Sequence, residues 1–225
     1  MMKRPEQRVV VLIDTQNMYH SAKHLYGAHL NFAKLVETIV ANRCLIRAVA
    51  YAATSKTGEE KGFLGALTAN GIEVKSKDVI EFASGERKAD WDVGIAVDAI
   101  KFSERADVVL IVSGDGDFIP LVEYLKNRGI IVEVAAFAES TSKLLKEAVD
   151  DYFDISAHAD ELLMTGGNRR VAQQNYVTPI EIPEDVLTDH DDSDLTLDDV
   201  PEPKHVRKPT NPTAGSGRRS VRITS

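Results

Sequence analysis

The residues best suited to chemistry in this chain are two aspartates one residue apart in Ser113-Gly114-Asp115-Gly116-Asp117, directly after the apolar run Val108-Val-Leu-Ile-Val112. Alternate residues of an extended segment point the same way, so Asp115 and Asp117 can converge on one point, while glycines let the backbone turn tightly and approach a ligand. Two such oxygens suit a hard cation. The plain alternative is a Gly-Asp turn whose Asp117 caps a helix beginning near Phe118. A second apolar run, Val9 to Ile13, ends at Asp14, with Asn17 three residues on. Asp14 reads either as a further ligand or as a helix cap; Asn17 either holds Asp14 or a ligand, or is a turn residue. Asp92 is the fourth candidate, in the first turn of a helical stretch with Lys88 just before it. Asp98, six residues further on, lies about 120° away around the helix axis and does not share its face. Asp90 reads as a cap, and Trp91 as a packing residue rather than a base-stacking platform.

Whether these acids meet depends on the elements that carry them. Runs as apolar and β-branched as Val9 to Ile13 and Val108 to Val112 read as strands buried on both faces, which is typical of a parallel sheet. Between and after them the chain alternates strand and helix. Helical spacing runs from Met18 to Tyr26, and Asn31 caps a helix from Phe32 to Val40 with Leu35, Val36, Ile39 and Val40 on one face. Leu45 to Ala53 is a strand; Thr57 opens a helix that ends at Gly71; Ile72 to Lys75 is a short strand; Val79 to Arg87 is a polar excursion. Helices from Asp90 to Ile100, Phe118 to Asn127 and Ser140 to Val149, a strand from Ile130 to Phe137 and a terminal segment from Tyr152 to Leu163 complete it. The pattern implies an α/β fold, a Rossmann-like three-layer sandwich around a mostly parallel sheet. In the common strand order 3-2-1-4-5, the strand ending at Asp14 lies beside the one ending at Ser113, at the switch point where ligands bind.

Asp14, Asp92, Asp115 and Asp117 would then share one crevice. Four acids without histidine or cysteine make an oxygen-only site suited to Mg2+ or Mn2+. Carboxylates held this close raise one another's pKa unless a cation compensates, so the cluster itself implies a metal. Phosphodiester hydrolysis uses such sites.

Three stretches then resemble one family. They are Val9 to Asn17 with its Ile-Asp-x-x-Asn ending, Lys88 to Asp98 as Lys-Ala-Asp-Trp-Asp-Val-x-x-x-x-Asp, and Val112 to Pro120 as Val-Ser-Gly-Asp-Gly-Asp-Phe-Ile-Pro. In this order they are similar to the NYN family, specifically its bacterial LabA-like branch, over about residues 8–155. The resemblance implies the PIN-like nuclease fold, related to the flap-type 5′ nucleases, with a divalent-metal site and RNA as substrate. It places the acidic site on Asp14, Asp92, Asp115 and Asp117, with Asn17 and Ser113 supporting.

Composition bounds the rest. The 225 residues, 43% hydrophobic, hold one good-sized domain, taken as 1–164, plus an extension. Residues 165–225 read as a disordered tail too poor in large apolar residues to form a core, with ten carboxylates between Glu181 and Glu202 and a basic end from Lys204 to Arg222. The tail reads as a solvated spacer, or as an arm that adds contacts to a phosphate backbone or an acidic partner. A formal charge of -8 argues against gripping nucleic acid by bulk electrostatics, though not against meeting it through a metal. A lone cysteine, Cys44, excludes an intramolecular disulfide and reads as a buried structural thiol. No apolar run approaches the ~20 residues of a membrane span, and the amino end is too polar for a signal peptide, so a cytoplasmic protein is expected, with no membrane partner. Three functions compete. The first is a metal-dependent ribonuclease. The second is a non-catalytic regulatory or RNA-binding module, with a homodimer or a regulatory protein partner. The third is a haloacid-dehalogenase-type phosphatase, disfavoured because Asp14-Thr15-Gln16 lacks the Asp-x-Asp that chemistry wants.

Overall fold

A computed structural model describes residues 3–54, 60–78, 80–81, 87–88 and 90–164, with 80–81 and 87–88 described by backbone alone. The Lys88 side chain, expected beside the site, and the tail 165–225, expected to be disordered, lie outside the described residues.

The chain forms β1 (Arg8–Asp14), α1 (Thr15–Tyr26), β2 (His29–Leu30), α2 (Phe32–Val40), β3 (Cys44–Thr54) and α3 (Lys61–Ala69). It continues through β4 (Glu73–Asp78), β5 (Ile80–Glu81), β6 (Arg87–Lys88), α4 (Asp92–Ser103) and β7 (Val108–Val112). Then come α5 (Ile119–Asn127), β8 (Ile131–Ala136), α6 (Lys143–Ala148), β9 (Asp151–Asp154), α7 (Ala159–Leu162) and β10 (Leu163–Met164). Six strands make one sheet in the order β4-β3-β1-β7-β8-β9, and every pairing in it is parallel. The five strands read from the sequence therefore sit in the expected order. β9 adds a sixth, hidden because Asp151-Tyr-Phe-Asp154 begins and ends in acids and is only half-buried.

The centre of the sheet is where the hydrophobic effect is concentrated. All five residues of β7 are buried, as are Val9 through Ile13 of β1. Fully burying side chains of this size contributes about 1.5–3 kcal/mol each. Right-handed crossovers put α1, α2 and α3 on one face and α4, α5 and α6 on the other. β3 shows both faces at once: the Tyr51 hydroxyl donates to Asp98 Oδ2 of α4 at 2.7 Å, while Ala52, pointing the opposite way, lines a cavity shared with α1 and α3. Asn31 caps α2 as expected, its Oδ1 accepting from the Lys34 amide at 3.0 Å.

Two expectations need correction. Cys44 is exposed, not buried. β3 outruns β4, which pairs only with Val49–Thr54, so the first four residues of β3 project beyond the covered part of the sheet. The excursion near Gly85 also contains structure, an antiparallel pairing of β5 with β6. Among the described residues, no helix is long and apolar enough to cross a membrane.

Candidate functional site

The carboxyl ends of β1 and β7 are laced together by side chains. Asp14 Oδ1 accepts from the Asn17 amide at 3.1 Å and caps α1, while Asp14 Oδ2 accepts from Ser113 Oγ at 3.4 Å. Asn17 completes the link, its Oδ1 accepting from the Gly114 amide at 3.0 Å. Asp14 is thus a cap and, at the same time, part of the crevice. Ser113 Oγ also accepts from the Asp115 amide at 3.3 Å, so Asn17 and Ser113 both hold the Asp115 loop in place.

Within that loop the cap is not the one expected. Asp115 Oδ1 accepts from the Asp117 amide at 2.9 Å and caps a 3-10 turn over Gly116–Phe118, which leads into α5. Asp117 is left exposed at the rim. The glycines also have a different reason from the one read in the sequence. Among the described residues, positive φ occurs at glycines 27, 71 and 129 but not at Gly114 or Gly116. A Cβ on Gly114 would stand 2.9 Å from Ser140 O, and one on Gly116 would stand 3.1 Å from Ser142 Oγ. The small residues make room for the loop between β8 and α6, and that loop buttresses the aspartates from behind.

Asp92 arrives from the other side on the first turn of α4. Asp90 Oδ1 accepts from the Asp92 amide at 2.8 Å, but the cap position of α4 belongs to Trp91, so Asp90 braces the turn before the helix rather than capping it as expected. Trp91 packs, its indole N–H donating to Ala52 O at 2.9 Å and its ring meeting Tyr51 edge-on at 5.3 Å. Farther along α4, Asp98 is buried and accepts from Tyr51 and from Lys75 Nζ, the latter at 2.5 Å. Burial opposes the charge on Asp98, but these two donors outweigh it and its pKa is lowered. Asp98 therefore anchors α4 to β3 and β4 and stays out of the cluster. Tyr51 and Lys75 were missed in the sequence; the only sign was a hydroxyl inside the apolar run from Ala48 to Ala53.

Asp92, Asp115 and Asp117 each offer a carboxylate oxygen, and these oxygens lie within 4.8 Å of one another. Oxygens bound to a single ion at ~2.0–2.6 Å can be at most about 5 Å apart, so the set fits one hard divalent cation. Asp14 adjoins this trio without entering it. Burial pushes Asp14 up to about 6, with the Asp115 charge adding and the hydrogen bonds from Asn17, Gln16 and Ser113 opposing. Burial likewise pushes Asp92 up to about 7, helped by the charges of Asp90, Asp14 and Asp115. Among the described residues, no ion pair reaches any of the four.

The NYN domain model matches residues 8–156, which span all six strands of the main sheet and the four acids. The chain belongs to the NYN family. NYN domains are generally PIN-like nuclease domains that depend on divalent metals and commonly bind RNA. This NYN domain is 29% identical over 158 residues to the low amplitude and bright protein LabA of Synechococcus elongatus, covering 66% of this chain and 84% of that one, in keeping with the LabA-like branch. Its fold matches the crystal structure of a protein of unknown function from Vibrio parahaemolyticus with a TM-score of 0.65 and 32% identity, over 73% of this chain and 100% of that chain.

Proposed function

We propose that the protein is a metal-dependent ribonuclease that hydrolyses RNA phosphodiester bonds at the crevice between β1 and β7. One observation carries this reading: three carboxylates converge within 4.8 Å at the switch point of the sheet, and no ion pair reaches them among the described residues. Asp92, Asp115 and Asp117 would hold Mg2+ or Mn2+. When bound, the ion supplies Lewis-acid chemistry, polarising the phosphodiester and making water more acidic. The protein supplies position and protonation. Ser113 and Asn17 fix the Asp115 loop, and the Tyr51–Asp98–Lys75 network fixes the helix that carries Asp92. Asp14, raised to about 6, is the acid in the set suited to taking a proton from water near neutral pH.

The test is cleavage of mixed structured and unstructured RNAs by the full chain, with Mn2+ or with chelator. Asp115→Asn keeps the oxygen that caps the 3-10 turn but removes the charge, so cleavage should fall at least about a hundredfold while the fold survives. Asp115→Ala, run in parallel, exposes any structural share. Equal cleavage by Asp115→Asn and by the parent, with the same metal response, would overturn the assignment in favour of a non-catalytic RNA-binding or regulatory module.

A further inference from the structure

Alternate residues of a strand share a face, and the edge strand β4 sends Lys75 and Lys77 to the face that α4 covers, where Arg47 of β3 joins them. Two of these cations are compensated. Arg47 pairs with Glu73 at 2.9 Å, and Lys75 pairs with Asp98 at 2.5 Å. Lys77 is treated differently. It is exposed, its Nζ donates to Asp90 O at 3.0 Å, and it stands 4.1 Å from the centre of the Trp91 ring. Among the described residues no carboxylate forms an ion pair with it. An ammonium has three donors, of which Asp90 O takes one, and an indole attracts the charge without neutralising it. What remains is a positive charge held in place at the surface of a chain whose formal charge is -8.

The register of the sheet places that charge on the edge where the acids gather. Asp14 pairs with Tyr51 of β3, and Lys77 pairs with Ala53, two residues further toward the carboxyl edge. β4 lies two strands from β1, about 10 Å to the side, so the α-carbons of Lys77 and Asp14 stand roughly 12 Å apart. The ammonium also rests on the turn that carries Asp92, because the residue whose carbonyl it meets is the one whose carboxylate holds the Asp92 amide. We propose that Lys77 is a phosphate-binding residue that holds a flanking phosphate of the RNA backbone while the scissile phosphate sits at the acids. At ~3.4 Å of rise per nucleotide, a few nucleotides of a single strand span that separation. The proposal rests on the ribonuclease reading for its substrate. It also answers the charge problem of that reading: an acidic chain without a broad basic face needs cations placed one at a time along the path of the strand.

The test compares the full chain with Lys77→Gln and Lys77→Arg. Gln keeps an N–H for Asp90 O and loses the charge, whereas Arg keeps both. The probe is a short labelled oligouridylate, with binding read by fluorescence anisotropy in chelator over a range of salt and cleavage read in Mn2+. Lys77→Gln should bind roughly three- to tenfold more weakly, and the slope of log affinity against log salt should shrink by about 0.7, the share of one phosphate contact on a single strand. In Mn2+ the loss should fall on KM rather than kcat, because a flanking phosphate is held equally in the ground and transition states. Lys77→Arg should behave as the parent does, and melting temperature should be the same in all three. A lowered melting temperature in Lys77→Gln, with the salt slope unchanged, would make Lys77 a brace for the turn before α4 and overturn the proposal. Cleavage by the parent, with the same KM and salt slope in Lys77→Gln, retires Lys77 and leaves the nuclease standing. Binding that weakens and loses salt dependence in Lys77→Gln, in a protein that cleaves no RNA, retires the nuclease and leaves the phosphate contact standing. A parent that neither binds nor cleaves the probe overturns both.

Discussion

Glu133 and Asp14 are both drawn into the same parallel sheet, and the protein treats the two charges in opposite ways. Glu133 on β8 is met by the buried Arg43 in a two-pronged pair, Nη1 to Oε1 at 2.6 Å and Nη2 to Oε2 at 2.9 Å, with Lys3 Nζ at 3.9 Å. Arg43 is itself satisfied by the carbonyls of Val40 and Ile39 at the end of α2. At Asp14, Asp92, Asp115 and Asp117, no ion pair is present among the described residues, and two of the four acids have pKa values pushed up to about 6 and 7. The same fold builds a compensated buried carboxylate at one place and, among the described residues, leaves several without an ion pair at another. The first arrangement is complete as folded; the second is one that a divalent cation would complete, as the proposed function requires. Strong pKa perturbation at a strand-end crevice is a mark of function for that reason.

The largest effect that would break this comparison lies in the Asp115→Asn cleavage assay, and the next largest is at the compensated pair. Arg43→Ala strands Glu133 in the core and should cost about 3–5 kcal/mol in urea unfolding. The combined Arg43→Met and Glu133→Leu change should recover most of that loss. No recovery would show that the pair organises β8 and β3 beyond cancelling charge. By contrast, metal-free Asp115→Asn should hold its stability or gain slightly, since it relieves repulsion.

Adding Mn2+ sharpens the contrast from the other side. At a hundredfold excess over the dissociation constant, the parent should gain about 2.7 kcal/mol, seen as a rise in melting temperature. Asp92→Asn combined with Asp115→Asn should gain almost nothing, and an equal rise in both would place the ion elsewhere. Gly114→Ala, which pushes a methyl against Ser140 O at 2.9 Å, should cost about 1–3 kcal/mol by unfolding. A neutral outcome would mean that the loop between β8 and α6 does not brace the site.

The smallest effect is the dependence on pH. Asp14 and Asp92 have folded pKa values raised from 3.8 to about 6 and about 7, so across that window the folded chain binds more protons than the unfolded chain. Stability of the metal-free protein should therefore fall as pH rises from about 4 to about 7. Mn2+ competes with those protons, so a saturating amount should flatten the slope. A metal-free slope of opposite sign would mean that other groups dominate.

Much of this was legible in the residues. Buried parallel strands advertise themselves as β-branched runs, so β1 and β7 were plain, and the common order 3-2-1-4-5, taken for such a fold, put Asp14, Asp115 and Asp117 on the edge where they are found. β9 was not, since an outer strand that is only half-buried has no apolar run to betray it. Asp98 was separable from Asp92 by helical geometry alone, but its burial against Tyr51 and Lys75 was not, because those partners come from other strands.

By itself, the sequence determined which residues could carry charge to a strand's carboxyl end, because strand ends and helix period follow from local hydrophobic pattern. Only the tertiary structure decided how the acids divide: Asp92, Asp115 and Asp117 within 4.8 Å, Asp14 beside them as a half-buried cap, and Asp98 turned away. It also gave Gly114 and Gly116 their purpose, since the atoms they must clear belong to Ser140 and Ser142. Distances of a few ångströms between residues far apart in the chain depend on how helices and loops pack across the sheet. No spacing along the chain encodes them.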